Sequence, residues 1–138
     1  MNQKSFFSAI VIAAVVAGAT AFAQQQPHRL YNEIMKDVGA TFASLKKNLD
    51  ANSAAAAIED AAKLQGLFKE TEAFWAPLKT KDAVDFAKRA SDAAAAVGVA
   101  AKSDTKAALE SYTGLQKNCA GCHFSHREDT GKGFLIRP

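Results

Sequence analysis

The residues best suited to chemistry lie near the C-terminal end, where the sequence reads Cys119-Ala120-Gly121-Cys122-His123. Two thiols three residues apart on a helix point to the same side, so both can add to the vinyl groups along one edge of a porphyrin. His123 follows directly, and its imidazole can bind the iron of the tethered ring as the proximal ligand. This C-x-x-C-H spacing predicts the attachment of one covalent haem c.

Three other uses fit parts of the same pattern. A disulfide between the two cysteines would close a loop too short to add much stability. A thioredoxin-like redox pair needs a βαβ setting, which the sequence does not suggest. Zinc could use Cys119, Cys122, His123 and His126, although four ligands so close together on one helix surround a single ion poorly. Haem attachment is therefore the favoured interpretation, and these remain its alternatives.

The first 23 residues have the pattern of a secretory signal peptide. Lys4 precedes an apolar run that ends at the small-residue triplet Ala21-Phe22-Ala23. Cleavage after Ala23 would leave a mature chain of residues 24–138 and predicts export to the periplasm. An uncleaved membrane anchor is the alternative, because the apolar run is nearly long enough to cross a bilayer.

The charge of the mature chain is small. Of 17 basic residues cleavage removes only Lys4, which leaves 16 against 14 acidic residues. The charges are also scattered along the chain, and a weak, scattered excess argues against nucleic acid as a partner.

Four stretches of the mature sequence place apolar residues at steps of three and four, the spacing of an amphipathic helix. They cover about 28–48, 53–72, 81–101 and 103–127. Pro77 bars one continuous helix between the second and third stretches, and Phe74 and Trp75 beside it are expected to close one end of the core. Four helices joined by short connections predict an all-α fold, an antiparallel four-helix bundle.

The predicted inner faces are rich in alanine, which buries little apolar area. A large apolar ligand such as haem would supply the apolar contact area that such a core lacks. The expected inner positions begin with Leu30, Ile34, Val38, Phe42, Leu45 and Leu49 in the first helix and end with Ala108, Tyr112, Leu115, Cys119, Cys122 and His126 in the fourth.

A C-terminal C-x-x-C-H on the last of four helices, followed by Arg127 and preceded by the Phe74-Trp75 connector, resembles the class II c-type cytochromes, the cytochrome c′ family. The resemblance covers nearly all of the mature chain. It implies a haem held between the helices and a distal residue from the first helix that faces the iron. That residue is a methionine in low-spin members of the family and is non-ligating in high-spin members.

Met35 stands in the distal place and is the only methionine of the mature chain. A thioether favours reduced iron, so a His123/Met35 pair suits electron transfer; simple core filling is the alternative role of this side chain. The family often places an arginine before the distal residue, and here Tyr31 occupies that place. Arg127 is expected to cover the haem edge or pair with a propionate, or else to be a solvated cation at the helix end.

The sequence thus predicts a periplasmic protein that carries single electrons on one haem c, and no catalytic apparatus. The alternative is a five-coordinate cytochrome c′ that binds nitric oxide or carbon monoxide at an open distal site. Expected partners are periplasmic redox proteins, and the family resemblance implies a homodimer through the first two helices. His126 is interpreted as a polar helix-end residue, and residues 128–138 are assigned no role.

Overall fold

The computed structural model describes residues 29–138, so the predicted signal peptide, its cleavage site and His28 lie outside the described part. Four α-helices follow one another, and a short 3-10 turn at Ala76–Leu78 separates the second from the third. They are α1 (Tyr31–Asp50), α2 (Ala54–Trp75), α3 (Lys81–Ala101) and α4 (Thr105–His126). The predicted all-helical bundle is confirmed for this part of the chain.

The helices run alternately up and down. Tyr31 at the start of α1 meets Trp75 at the end of α2, and Asp82 at the start of α3 meets His126 at the end of α4. Each helix packs on its neighbour in the chain, and α1 closes the bundle against α4 with far fewer contacts than the other adjacent pairs make. The α1–α4 interface is therefore the loosest part of the bundle.

The apolar stripe predicted for the first helix is largely buried. Ile34, Leu45 and Leu49 are each 3 % exposed or less. Leu30 is the exception at 65 % exposed, because it lies at the N-cap, one residue before α1 begins. Its extended backbone turns the side chain away from the helical stripe.

Alanines allow α2 and α3 to approach closely, as the sequence predicted. Ala57, Ala61 and Ala94 are almost completely buried. A Cβ atom placed on Gly98 of α3 would lie 3.4 Å from the Cβ of Ala61 on α2, so small residues on both helices set their spacing.

The ends of the helices follow from local sequence. Asp104 caps α4, since its carboxylate accepts a hydrogen bond from the backbone N–H of Lys106 at 2.8 Å. Ser53 stands at the N-cap of α2 but makes no side-chain capping bond. Pro77 lies in the 3-10 turn, and Lys79 ends that turn in the left-handed conformation with φ of 57°.

The C-terminal tail forms a β-hairpin that the sequence analysis did not predict. Strand β1 (Arg127–Asp129) pairs antiparallel with β2 (Phe134–Ile136), so that α4 ends at His126, one residue earlier than expected. Both strands are solvent-exposed, and Phe134 is 61 % exposed. No helix within residues 29–138 is both long and apolar enough to cross a membrane.

Candidate haem site

A cavity opens at the end of the bundle where α1 and α3 begin and α2 and α4 end. Its cavity volume is about 40 Å³, and part of it is open to solvent. All four helices contribute to the lining. The lining residues are Tyr31, Met35 and Val38 of α1, Phe68 and Thr71 of α2, Phe86, Ala87 and Ala90 of α3, and Asn118, Cys119, Cys122 and His123 of α4.

This cavity brings together the four side chains for which the sequence predicts the most specific roles. Cys119, Cys122 and His123 lie on its α4 wall, and Met35 lies on its α1 wall. Met35 is half-buried and packs against the core, whereas the adjacent Ile34 is buried in the main stripe. Met35 therefore faces a different neighbour from Ile34, as its place on the helix predicted.

Both cysteines are free, half-buried thiols. Burial raises the pKa of the Cys119 thiol. Burial, followed by the negative charge of Asp82, raises the pKa of Cys122 to about 11. Redox-active C-x-x-C pairs depend on a lowered thiol pKa, so this site lacks the electrostatics of the thioredoxin-like alternative.

His123 is kept in its neutral form. Burial, and secondarily the charge of Arg127, lowers the pKa of its imidazole. The neutral ring has a free nitrogen lone pair, which is the form that binds a metal ion. At pH 7 the side chain is therefore ready to act as a ligand.

Phe86 covers the backbone of the C-x-x-C-H turn from the α3 side. A Cβ atom placed on Gly121 would lie 2.5 Å from Cε1 and 2.9 Å from Cζ of this ring. The ring thus needs a glycine beneath it. Arg89, one turn further along α3, places its guanidinium carbon 4.6 Å from the ring centroid of Phe86.

An aromatic cluster closes the end of the bundle beside the cavity. The ring centroid of Tyr31 lies 4.4 Å from that of Phe74, and the indole Nε1 of Trp75 donates to the Tyr31 hydroxyl at 3.1 Å. Trp75 is fully buried, so Phe74 and Trp75 close the core as predicted. Burial raises the pKa of Tyr31 to about 12, so the phenol that lines the cavity stays protonated.

His126 is the last residue of α4, and its side chain lies on the inner face, as the helical spacing predicted. The side chain is buried, 8 % exposed, with its ring centroid 5.2 Å from that of Trp75. Its two ring nitrogens are engaged by Asp82 and by the backbone of Arg137. The contact with Arg137 was not predicted, because it depends on the tail folding back beside the end of α4.

Arg127 lies outside the cavity lining. Its guanidinium carbon sits 4.3 Å from the ring centroid of Phe134 in the hairpin, and the side chain is exposed. Tyr31 and Asn118 are among the lining residues that were not predicted as haem contacts. Their only sequence signal is position, since Tyr31 precedes Met35 by one helical turn and Asn118 adjoins Cys119.

Within the described residues, no three histidine, cysteine, aspartate or glutamate side chains are grouped so that they could hold a metal ion together. The zinc alternative therefore gains no support from the arrangement of these side chains. Comparison with known proteins found no matching family model, no similar curated protein and no similar solved structure.

Proposed function

We propose that this chain is a c-type cytochrome that carries single electrons in the periplasm on one covalently attached haem. The observation that carries this proposal is the convergence of Met35, Cys119, Cys122 and His123 on one cavity. These residues are separated by up to 88 positions in the sequence, and haem c is a group that can use two thiols, an imidazole and a thioether together.

The lining fits such a group. Val38, Phe68, Ala87 and Ala90 supply apolar surface. Gly121 leaves the backbone of the attachment turn without a side chain, and the Phe86 ring packs against it there. Haem iron in this position would supply one-electron exchange between its ferric and ferrous states.

Each residue has a definite part in this proposal. Cys119 and Cys122 would hold the haem through two thioether links, and His123 and Met35 would bind its iron. Neutral His123 binds without first losing a proton, because burial has already lowered its pKa. The thioether of Met35 stabilises the reduced metal and so favours a raised potential.

The residues around the cavity restrict the movement of the side chains that line it. Trp75 and Tyr31 hold the end of the bundle closed through a hydrogen bond between side chains on different helices. Packing of this kind restricts movement of the ligands when the charge of the metal changes, which suits electron transfer. No catalytic group is required, and the partners would be periplasmic redox proteins, with the chain itself as a monomer or as a homodimer through α1 and α2.

The visible spectrum of the oxidised protein, produced in a host with cytochrome c maturation machinery, tests the proposed coordination. We expect a low-spin spectrum with a sulfur-to-iron charge-transfer band. A high-spin ferric spectrum would contradict Met35 ligation and support the five-coordinate alternative, in which Met35 only lines the pocket. Binding of carbon monoxide or nitric oxide without displacement of a sulfur ligand would be the further sign of that alternative.

A further inference from the structure

The two strands of the C-terminal hairpin differ sharply in chemistry. All three residues of β1 are charged, whereas all three residues of β2 are large and apolar. Charged side chains on an exposed strand discourage other chains from pairing with it. β2 lacks that protection, although Phe134 and Leu135 are 61 % and 59 % exposed. Within residues 29–138 the sheet contains only these two strands, so the outer edge of β2 pairs with no strand there.

Two hydrogen bonds beyond the paired strands fix the alternation of the ladder. At the turn, the backbone N–H of Thr130 donates to the carbonyl oxygen of Gly133 at 2.9 Å. At the open end, the N–H of Arg137 donates to the carbonyl oxygen of His126 at 2.9 Å. Both pairs continue the register in which β1 and β2 face each other.

This alternation determines which backbone groups of β2 face outwards. In an antiparallel ladder, hydrogen-bonded pairs alternate with pairs that are not hydrogen-bonded. Glu128 and Leu135 lie midway between the two bonded pairs, so they are the hydrogen-bonded pair within the strands. The N–H and C=O groups of Phe134 and Ile136 therefore point away from β1. Each of these two residues offers one donor and one acceptor at the outer edge.

The side chains of β2 lie on both faces of the hairpin. Phe134 and Ile136 share one face and Leu135 lies on the other, because successive side chains of a strand alternate. A flat surface can cover only one of these faces. An added strand places its own side chains on both faces and also satisfies the free backbone groups.

Two cations bracket the apolar residues of β2. Lys132 precedes the strand in the turn and Arg137 follows it, and both residues are exposed. Neither forms a salt bridge in the part of the chain that the structure describes. An added strand with a carboxylate at each end would complement this charge pattern, since opposite charges on neighbouring strands attract.

A second copy of the hairpin complements this edge poorly. Antiparallel pairing of two β2 strands about Leu135 would bring Lys132 of each copy beside Arg137 of the other, so like charges would meet at both ends. An anionic lipid surface is also unsuitable. Its apolar interior offers no partner for the free backbone groups, and its headgroups would repel Glu128 and Asp129 of β1.

We propose that the outer edge of β2 binds an extended segment of a partner protein, which adds to the hairpin as a third strand with carboxylates at its ends. Phe134 and Ile136 supply the main-chain hydrogen bonds, and Lys132 and Arg137 supply the preference for acidic ends. Because β1 continues directly from α4, the partner would be held beside the helix that carries the C-x-x-C-H turn. Electron exchange with that partner rests on the proposed function, whereas the binding mode does not.

NMR of the reduced, nitrogen-15-labelled mature protein with synthetic peptides tests the binding mode. The probe is a blocked peptide of aspartate, valine, tyrosine, valine and glutamate, and the matched control has lysine in place of both acids. We expect the amide signals of Phe134 and Ile136 to shift and saturate, and to move more than that of Leu135, whose N–H already bonds to β1. The acidic peptide should bind about tenfold more tightly than the control, the effect of two exposed ion pairs.

Three results would overturn the proposal. They are equal binding of the two peptides, shifts that spare Phe134 and Ile136, and no saturable binding at millimolar concentrations of the acidic peptide. Protection of the same amides in the concentrated protein alone would assign the edge to a second copy instead. The measurement does not require haem, so failure of the proposed function and failure of this binding mode are distinguishable.

Two variants of Ile136 separate backbone pairing from side-chain contact. Ile136→Pro removes an outward N–H and leaves the bonds between β1 and β2 in place. Ile136→Val keeps that N–H and nearly the same side chain. We expect the proline variant to bind the acidic peptide at least about fivefold more weakly, the effect of one lost hydrogen bond, and the valine variant to bind as the native protein does. Equal binding by both, with unchanged amide signals of β1, would contradict strand addition.

Charge reversal tests the selection of acidic ends. Lys132→Glu combined with Arg137→Glu should reverse the preference, so that the lysine peptide binds more tightly than the acidic one. Lys102→Glu combined with Lys106→Glu is the matched control, because both lysines are exposed at the opposite end of the bundle. A preference that is unchanged in the hairpin variant, or reversed in the control as well, would show that Lys132 and Arg137 do not select the partner.

Discussion

At the scale of single residues, the thiols of the C-x-x-C-H turn are unusual in being poor nucleophiles. Burial raises the pKa of Cys119 and, with the charge of Asp82, raises that of Cys122 to about 11. Since the thiolate is the reactive form, both side chains remain largely unreactive thiols near neutral pH. Under the proposed function, attachment of a porphyrin would therefore depend on maturation machinery and not on an intrinsically activated cysteine.

Alkylation of the haem-free chain by iodoacetamide tests this protection. We expect slow reaction of Cys122 at pH 8, with a rate that rises toward pH 11, because the folded state favours the protonated thiol. The corresponding contribution to folding stability is complete below the pKa of the unfolded thiol and is lost as pH rises through about 11. Rapid alkylation of the native chain at pH 8, equal to that in denaturant, would contradict the raised pKa.

Two alanine variants on the α1 wall of the cavity test whether Met35 binds the iron or only lines the cavity. Met35→Ala should convert a low-spin ferric spectrum into a high-spin one, because it removes the sulfur ligand. Val38→Ala lies on the same wall of the cavity, shortens another apolar side chain and should keep the low-spin spectrum. An unchanged spectrum in Met35→Ala would remove this residue from the coordination sphere.

At the scale of helices and strands, the sequence predicts what local periodicity and capping determine. The stripe Ile34, Val38, Phe42 and Leu45 required only steps of three and four residues, and α3 occupies the predicted range Lys81–Ala101. Convergence of Met35 with the α4 residues was available from the family resemblance, not from periodicity, since it depends on how α1 meets α4.

The C-terminal hairpin could not be predicted in the same way. Its strands have three residues each, too few for a period-two pattern to stand out. Gly131 lies in the turn with φ of 73°. Glycine adopts this conformation easily, but the presence of a glycine does not by itself predict it. The contact between His126 and the tail follows from this hairpin, which is why the sequence did not indicate that contact.

The cap of α4 gives a stability prediction with a neighbouring control. Asp104→Ala should lower the free energy of unfolding by about 1 kcal/mol, because it removes the side-chain acceptor for the Lys106 N–H. Ser103→Ala, one residue earlier and exposed, should change it by less than about 0.5 kcal/mol. Urea denaturation of both variants measures the difference, and equal losses would show that Asp104 is not the effective cap.

The contact between α3 and the attachment turn predicts a strong size limit at Gly121. Gly121→Ala should displace the Phe86 ring and cost about 1–3 kcal/mol through overpacking, as measured by denaturation of the mature protein. Phe86→Ala combined with Gly121→Ala should remove the clash, so the two changes together should cost less than the sum of the separate changes. Simple additivity would contradict direct contact between these residues.

At the scale of the whole molecule, the bundle is tightly packed along α2 and α3 and loosely packed between α1 and α4. An alanine-rich core of this kind gains less from its own side chains than a core of larger residues. Because all four helices line the cavity, a bound ring would contact each of them. Binding to the folded state alone would then stabilise the entire bundle.

Different segments of the chain have different predicted roles. Residues 1–23 are predicted to direct export and then to be removed, while α1 to α4 supply the walls of one cavity. The exposed hairpin lies beyond that cavity and is joined to it through His126. Met35 and His123 thus lie on α1 and α4, which are far apart in the sequence but adjacent in the bundle.

Mass spectrometry of the mature protein under denaturing conditions, after extraction with acidified acetone, tests the central claim most directly. The account predicts red protein whose mass equals residues 24–138 plus one haem, with neither cysteine available for alkylation. A colourless chain of residues 24–138 in which both Cys119 and Cys122 are alkylated would contradict it.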